Sequence, residues 1–320
     1  MRTGVAAHHC GYFHEAAFYD SDDGLADIVV PFLVDGQAAG EPTLVTLDAR
    51  NTAVVRAALP SLAGIEFVPS PEQYRNPAQT IADYRRRFTR LVDEGAEQIR
   101  VVGDVPHPGT GGSWDAWSRY EAAVNHAYAE FPLWGMCPYD VRVTPEHVLA
   151  DVRRTHPHEA LPAGAHRANP AYEDPAAYLA TRPPPPLLPE QRTPPVLGLI
   201  DPSPGHARRA VGGAVGAHLA PAVRDDAVLA TSELVTNAWR HGRPPITLTA
   251  WVGPGRLVLT VEDHGDGPPD PLVGLLPQSG RAQGDGGLGL WMAHQVCADV
   301  RHLSAGTHTV RIVIEDPSAH

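Results

Sequence analysis

The 320-residue chain contains no lysine: all 25 positions counted as lysine or arginine are arginine. A Walker A loop needs its lysine on the nucleotide phosphates, so that route to nucleotide binding is excluded, as is Schiff-base catalysis on lysine. Cysteine is scarce. Cys10, Cys137 and Cys297 are widely spaced and odd in number, which argues for a reducing compartment and against a disulfide scaffold. No apolar run approaches the roughly 18 residues of a membrane span, and no cationic start followed by an apolar run marks a signal peptide. The expected location is the cytoplasm, with no membrane partner. Net positive charge is also missing. A formal charge of −12 argues against direct contact with a nucleic-acid backbone and leaves a basic protein partner open.

Proline is abundant, with 33 residues, and it crowds one place. Residues 181–195 read Thr-Arg-Pro-Pro-Pro-Pro-Leu-Leu-Pro-Glu-Gln-Arg-Thr-Pro-Pro. That density enforces extended polyproline geometry and predicts a semi-rigid linker between domains at 1–180 and 196–320. Before it, apolar runs alternate with helical spacing. Strands are predicted at Thr43–Leu47, Ile65–Val68 and Gln98–Gly103. Helices are predicted from Asp22-Asp23 to about Val34, at Thr52–Leu59, at Ala78–Gly95 and at Trp114–Phe131. This is the pattern of an α/β unit with a mostly parallel sheet. After the linker the order changes. A strand (Val196–Ile200) precedes two helices (Pro204–His218, Pro221–Arg240). A strand pair follows, turning at Gly253-Pro254-Gly255, then a Gly/Pro-rich loop, a helix (Leu288–Val300) and a closing strand pair. Helices on one face of a largely antiparallel sheet make an α+β sandwich.

Three segments of the second domain carry chemistry. Residues 231–242 read Thr-Ser-Glu-Leu-Val-Thr-Asn-Ala-Trp-Arg-His-Gly. On a helix, Ala227, Val228, Thr231, Leu234, Val235, Ala238 and Trp239 form an apolar side. Glu233, Asn237 and His241 line up at i, i+4 and i+8, beside Arg240, where they can meet one ligand. A solvated helix face has the same appearance, and this segment alone does not separate the two. Asp263 lies just past the strand Val258–Val261, where its carboxylate can accept a hydrogen bond from an amino group such as that of adenine. Gly265 and Gly267 allow a close turn past a ring. Gly284, Gly286, Gly287 and Gly289 precede an amphipathic helix, whose backbone N–H groups suit an anion.

In this order the segments resemble the GHKL ATPase superfamily and, within it, RsbW-type serine-kinase anti-sigma factors. Glu233-Leu-Val-Thr-Asn237-Ala matches the N box, Asp263-His-Gly265-Asp-Gly267 the G1 box, and Gly287-Leu288-Gly289-Leu290 the G2 box. The resemblance implies a Bergerat-type fold holding ATP and Mg²⁺. Asn237 would be the magnesium ligand and Asp263 the reader of adenine. Arg240, His241, Gly265, Gly267, Gly287, Leu288 and Gly289 would line the nucleotide. Glu233 would be the general base, taking the proton of a partner's serine or threonine. It also implies a sigma factor and its antagonist as partners, and a homodimer. One feature departs from the pattern. Relatives often end in Gly-Thr-x-Val, where the threonine supports the aspartate on adenine, but Gly306-Thr307-His308-Thr309-Val310 has an extra residue, so no threonine is assigned.

The first half resembles the MEDS domain, a sensory module related to RecA-like sheets. The resemblance rests on 14–22, Pro31–Gly36, Arg75-Asn-Pro77, Val101-Val-Gly103 and Cys137-Pro-Tyr139-Asp140. It implies a small-molecule signal of unspecified kind. His8, His9, Cys10 and His14 are soft metal ligands by type, though crowded. Trp114, Trp117, Tyr120, Trp134 and Tyr139 are candidates for core or for a ligand pocket, and Cys137 for a small buried apolar residue. The expected function is an ATP-binding regulator of the anti-sigma kinase kind, modulated by its first domain. The alternatives are a nucleotide-dependent binding switch without catalysis and a sensor histidine kinase module. No dimerisation helix with an acceptor histidine precedes the ATPase segments, which disfavours the last.

Overall fold

The computed structural model describes residues 3–216, 218–276, 287–304, 306–316 and 318. The chain divides into two compact units, at 1–181 and 182–320.

The first unit begins with β1 (Phe13–Tyr19) and α1 (Asp22–Ala39). Ser21 caps α1 by accepting from the Gly24 amide at 3.1 Å, and Asp22 and Asp23 sit in the first turn, where the helix dipole favours acids. The helix runs beyond the expected end near Val34 because Gly40, at φ 67°, supplies the left-handed terminus. Then come β2 (Thr43–Thr46), α2 (Ala49–Ala58), β3 (Ile65–Phe67), the single turn α3 (Ser70–Gln73), α4 (Pro77–Asp93) and β4 (Ile99–Gly103). Asn76 caps α4 through the amides of Ala78 and Gln79, with Pro77 at its first position. The unit closes with α5 (Asp115–Ala127), β5 (Leu133–Asp140), α6 (Glu146–Thr155), β6 (His158–Leu161), β7 (Ala165–Ala168) and α7 (Pro175–Ala180).

The sheet order is β3-β2-β4-β5-β1-β6-β7, parallel throughout except for the antiparallel edge strand β7. Mostly parallel pairing agrees with the alternation in the sequence. Apolar runs do not mark β1 and β5 as strands. The first carries His14 and Glu15 near its start and the second Gly135 and Pro138, which break a hydrophobic run. Trp114, Trp117, Tyr120, Trp134 and Tyr139 are all buried, and they pack edge-to-face among neighbouring rings. They are core.

The second unit has β8 (Leu197–Ile200), α8 (Pro204–Val215), α9 (Pro221–His241), β9 (Thr247–Gly253), β10 (Arg256–Asp263), α10 (Gly287–Val296), β11 (Asp299–Ser304) and β12 (His308–Glu315). Its sheet, β11-β12-β10-β9-β8, is antiparallel throughout. Ala227, Leu234 and Val235 of α9, Val211 of α8 and Ala293 of α10 pack with Leu248, Leu259 and Ile312 of the sheet in one core. Trp239 does not join them. It is 43% exposed, and its indole N–H donates to the Pro202 carbonyl at 2.9 Å. The last helix is shorter than expected. The Cys297 amide closes on Ala293, and the next amide, of Ala298, already bonds Val313 in the sheet.

The proline-rich stretch is not a bare tether. Arg311 of β12 donates to the Pro186 carbonyl at 2.8 Å and to Gln191 at 3.2 Å, and Trp251 of β9 donates to the Thr193 carbonyl at 3.1 Å. Residues 186–193 thus lie on the sheet of the second unit.

Candidate functional site

The site of the second unit is built on α9. Helical spacing places Glu233 and Asn237 one turn apart, both half-buried, with Arg240 and His241 exposed in the last turn. Thr231 and Thr236 hydrogen-bond back to carbonyls of their own helix, at 2.7 Å each, so neither competes for a ligand.

Each end of this polar row meets a glycine. At one end, α10 presses on α9 so closely that a Cβ at Gly289 would overlap the Glu233 carboxylate. At the other, Gly242 ends α9 directly against Asp263, and a Cβ there would overlap that carboxylate. Gly265 is equally constrained: a Cβ would stand 2.7 Å from Asp263 Oδ1 and 2.9 Å from the Gly242 Cα. The two contacts are nine residue steps apart along the helix, about 13 Å at 1.5 Å each. An acid, an amide and a second acid therefore line one helix length.

Asp263 ends β10 and is 3% exposed. Oδ1 accepts from the Gly265 amide at 2.6 Å and from the Arg243 amide at 3.4 Å. Oδ2 lies 3.1 Å from His308 Nδ1. A carboxylate can only accept here, so the proton is on Nδ1, and His308 Nε2 lies 3.1 Å from His302 Nδ1. His308 stands opposite Asp263 in the β10–β12 ladder, while Thr309 stands opposite Glu262 and points to the other face. His308, not Thr309, supports the aspartate. The extra residue after Gly306 breaks the threonine pattern, but the strand register that brings His308 to the aspartate is not written in the local sequence. Gly242 was missed as well, although it stood at the end of the N-box helix.

Gly267 takes φ 74° against the His308 ring. Gly287 opens α10, and Leu288 is 69% exposed. Gly284 and Gly286 lie outside the described residues. The structure thus joins Glu233 to Gly289, and Asp263 to Gly265 and, through His308, to Gly267.

The first unit has a crevice of its own. The connections after β2 and after β4 leave in opposite directions, and ligands of open parallel sheets bind beyond the strand ends at such a switch point. A cavity of about 470 Å³ lies there, lined by Tyr19, Asp48, Asn51, Asp104, His107 and Asp140 among others. Asp104 Oδ2 accepts from the Asp48 amide at 3.0 Å and from Asn51 at 3.3 Å. Its Oδ1 is buried without a hydrogen-bond partner among the described residues, and burial pushes its pKa up to about 8. Asp140 differs, because Arg142 grips both its oxygens at 2.8 and 2.6 Å and holds it below the usual carboxylate range. Cys10 is exposed, and His9 bonds the Tyr12 carbonyl. His14 lies elsewhere, in the sheet interior beside Cys137.

Comparison with known proteins agrees with this division. Residues 13–157 match the family described as MEthanogen/methylotroph, DcmR Sensory domain (MEDS). Residues 204–314 match the family described as histidine kinase-like ATPase domain. The chain is also 26% identical over 174 residues to the transcriptional repressor DcmR of Methylorubrum extorquens (strain DSM 6343 / CIP 106787 / DM4). That match covers 48% of this chain and 62% of the relative's length. No described helix is long and apolar enough to cross a membrane. The chain therefore carries a MEDS domain followed by a histidine kinase-like ATPase domain.

Proposed function

We propose that the second unit binds Mg·ATP along α9 and that the chain is a signalling regulator of the anti-sigma kinase kind, which phosphorylates an antagonist protein and sequesters a sigma factor. The observation that carries this reading is the pair of glycine contacts, Gly289 on Glu233 and Gly242 on Asp263. They hold an acid near each end of one length of α9.

The donor set fits the ligand. An amide oxygen on Asn237 suits a hard cation that keeps most of its water. Asp263 Oδ2 accepts one hydrogen bond, from His308, and keeps a lone pair for an exocyclic amine, and its bond to His308 holds the carboxylate still. With no lysine in the chain, magnesium would supply much of the charge neutralisation on the phosphates, with Asn237 as its protein ligand. Glu233 takes the proton from a serine or threonine hydroxyl of the antagonist as that oxygen bonds to the terminal phosphorus and the bond to ADP breaks.

The crevice around Asp104 is the corresponding proposal for the first unit. It would admit a small polar ligand with an acceptor for the Oδ1 proton that Asp104 keeps below about pH 8, since Oδ2 already accepts from Asp48 and Asn51. The likeness to a transcriptional repressor supports a regulatory role for that unit. The test is transfer from γ-labelled ATP to a candidate antagonist. Acid-stable label on serine or threonine that is lost in Glu233→Gln supports the kinase. ATP binding without transfer supports the non-catalytic switch instead, and acid-labile label on histidine the histidine kinase.

A further inference from the structure

Four side chains that the nucleotide site does not use converge inside the first unit. His14 comes from β1, Glu121 from α5, Cys137 from β5 and His156 from the end of α6. One ligand atom from each lies within 4.8 Å of all the others. His14, Glu121 and His156 are fully buried. Three separations are set by the contacts: His14 Nε2 to Glu121 Oε2 at 3.6 Å, His156 Nε2 to the same oxygen at 3.4 Å, and His14 Nε2 to Cys137 Sγ at 3.5 Å. Metal–ligand lengths of about 2.0 Å to N and O and about 2.3 Å to S give tetrahedral edges of about 3.3 Å between N and O and about 3.5 Å between N and S. The three observed spacings lie close to those edges.

The outer partners fix which atoms face inward. His156 Nδ1 lies 2.9 Å from the Val152 carbonyl, which can only accept, so Nε2 keeps its lone pair. Asn125 donates its amide to the carbonyls of Glu121, Ala122 and Thr155. That turns its oxygen to His14 Nδ1 at 3.0 Å and leaves the His14 Nε2 lone pair facing inward too. Tyr139 O–H donates to Glu121 Oε1 at 3.1 Å and leaves Oε2 facing the rings. Two nitrogen lone pairs and a carboxylate oxygen thus point at one place. Glu121 Oε2 and His156 Nε2 have no hydrogen-bond partner among the described residues. Buried acceptors facing one another are costly unless a proton or a cation lies between them; burial raises the Glu121 carboxyl to about 8, so it can hold that proton, which a bound cation would displace. Bonding the far ring nitrogen to a carbonyl or amide oxygen is how metal-binding imidazoles are oriented. A cavity of about 30 Å³ opens on His14, Glu121 and Cys137.

We propose that His14, Glu121, Cys137 and His156 form a closed tetrahedral site for a borderline-soft divalent transition metal, Zn²⁺ by ligand type. The carboxylate and the thiolate cancel the charge of the dication, so the loaded site is neutral in the interior. It ties two strands and two helices of the sensory unit at one point, and it is independent of the nucleotide reading.

The test uses the full chain, stripped with a chelator and titrated with Co²⁺. The expected result is saturation at one equivalent, with the visible bands of four-coordinate cobalt and a thiolate-to-cobalt charge-transfer band, all displaced by Zn²⁺. Cys137→Ser removes the charge-transfer band, and His156→Gln weakens binding by more than about 100-fold, beyond the usual loss for an outer-shell partner. Cys10→Ser, at the exposed thiol, changes neither. Zn²⁺ raises the melting temperature of the stripped, unmutated protein, a readout that needs no variant to fold. Absence of one-equivalent binding, or a charge-transfer band that survives Cys137→Ser and is lost in Cys10→Ser, overturns the proposal.

Discussion

Gly289 lies so close to Glu233 that no side chain fits between them; a Cβ at 289 would overlap the carboxylate. The first turn of α10 and the acid of α9 therefore share one position. Gly289→Ala is expected to displace Glu233 and to reduce transfer about as much as Glu233→Gln does. The double variant should lose little more, since residues acting as a unit are not additive. Rates for the four proteins check this, and losses that multiply would separate the two residues.

Glu233→Gln is expected to keep ATP affinity within about twofold and to lower transfer by about 10²–10⁴, the usual contribution of a general base. Titration calorimetry together with a transfer assay measures both. A fully active variant removes Glu233 from the chemistry.

The crevice of the first unit predicts a pH dependence. Asp104 titrates near 8 when folded because of burial, against about 3.9 in an unfolded chain. The folded state therefore holds a proton that the unfolded state has released, and stability falls as pH rises from about 4 to about 8. Asp104→Asn removes this contribution. Between pH 6 and pH 8.5 its melting temperature should fall less than that of the wild type, and equal falls would contradict the assignment.

Arg100 is fully buried in β4 and pairs with Glu41 at 2.5 Å, with a second bond to the Phe32 carbonyl at 2.7 Å and its guanidinium over the Trp134 ring. Glu41→Ala leaves that cation without its buried partner and is expected to cost about 3–5 kcal/mol. Urea unfolding at pH 7 measures it. A loss below about 1 kcal/mol would mean that Arg100 finds other compensation.

Where apolar runs and period agree, the sequence was readable. Thr43–Leu47 and Gln98–Gly103 fall on strands, and Pro204 and Pro221 open helices. It was not readable where buried polar residues interrupt a strand. His14 and Glu15 in β1 have partners far along the chain, at Asn125 and Glu121 for the first and at Trp134 and His166 for the second. Arg100 likewise sits in the core because Glu41 meets it 59 residues away. In the second unit the polar row on α9 and Asp263 could be read from spacing. The support from His308 could not, because it depends on the β10–β12 register, and no local pattern sets that register.

The most direct measurement is calorimetric titration of the full chain with Mg·ATP, compared with Asn237→Ala and Asp263→Asn. The account predicts saturable binding at one site per chain, abolished by the first substitution and weakened at least about tenfold by the second. Absence of binding, or the same affinity in all three proteins, would contradict it.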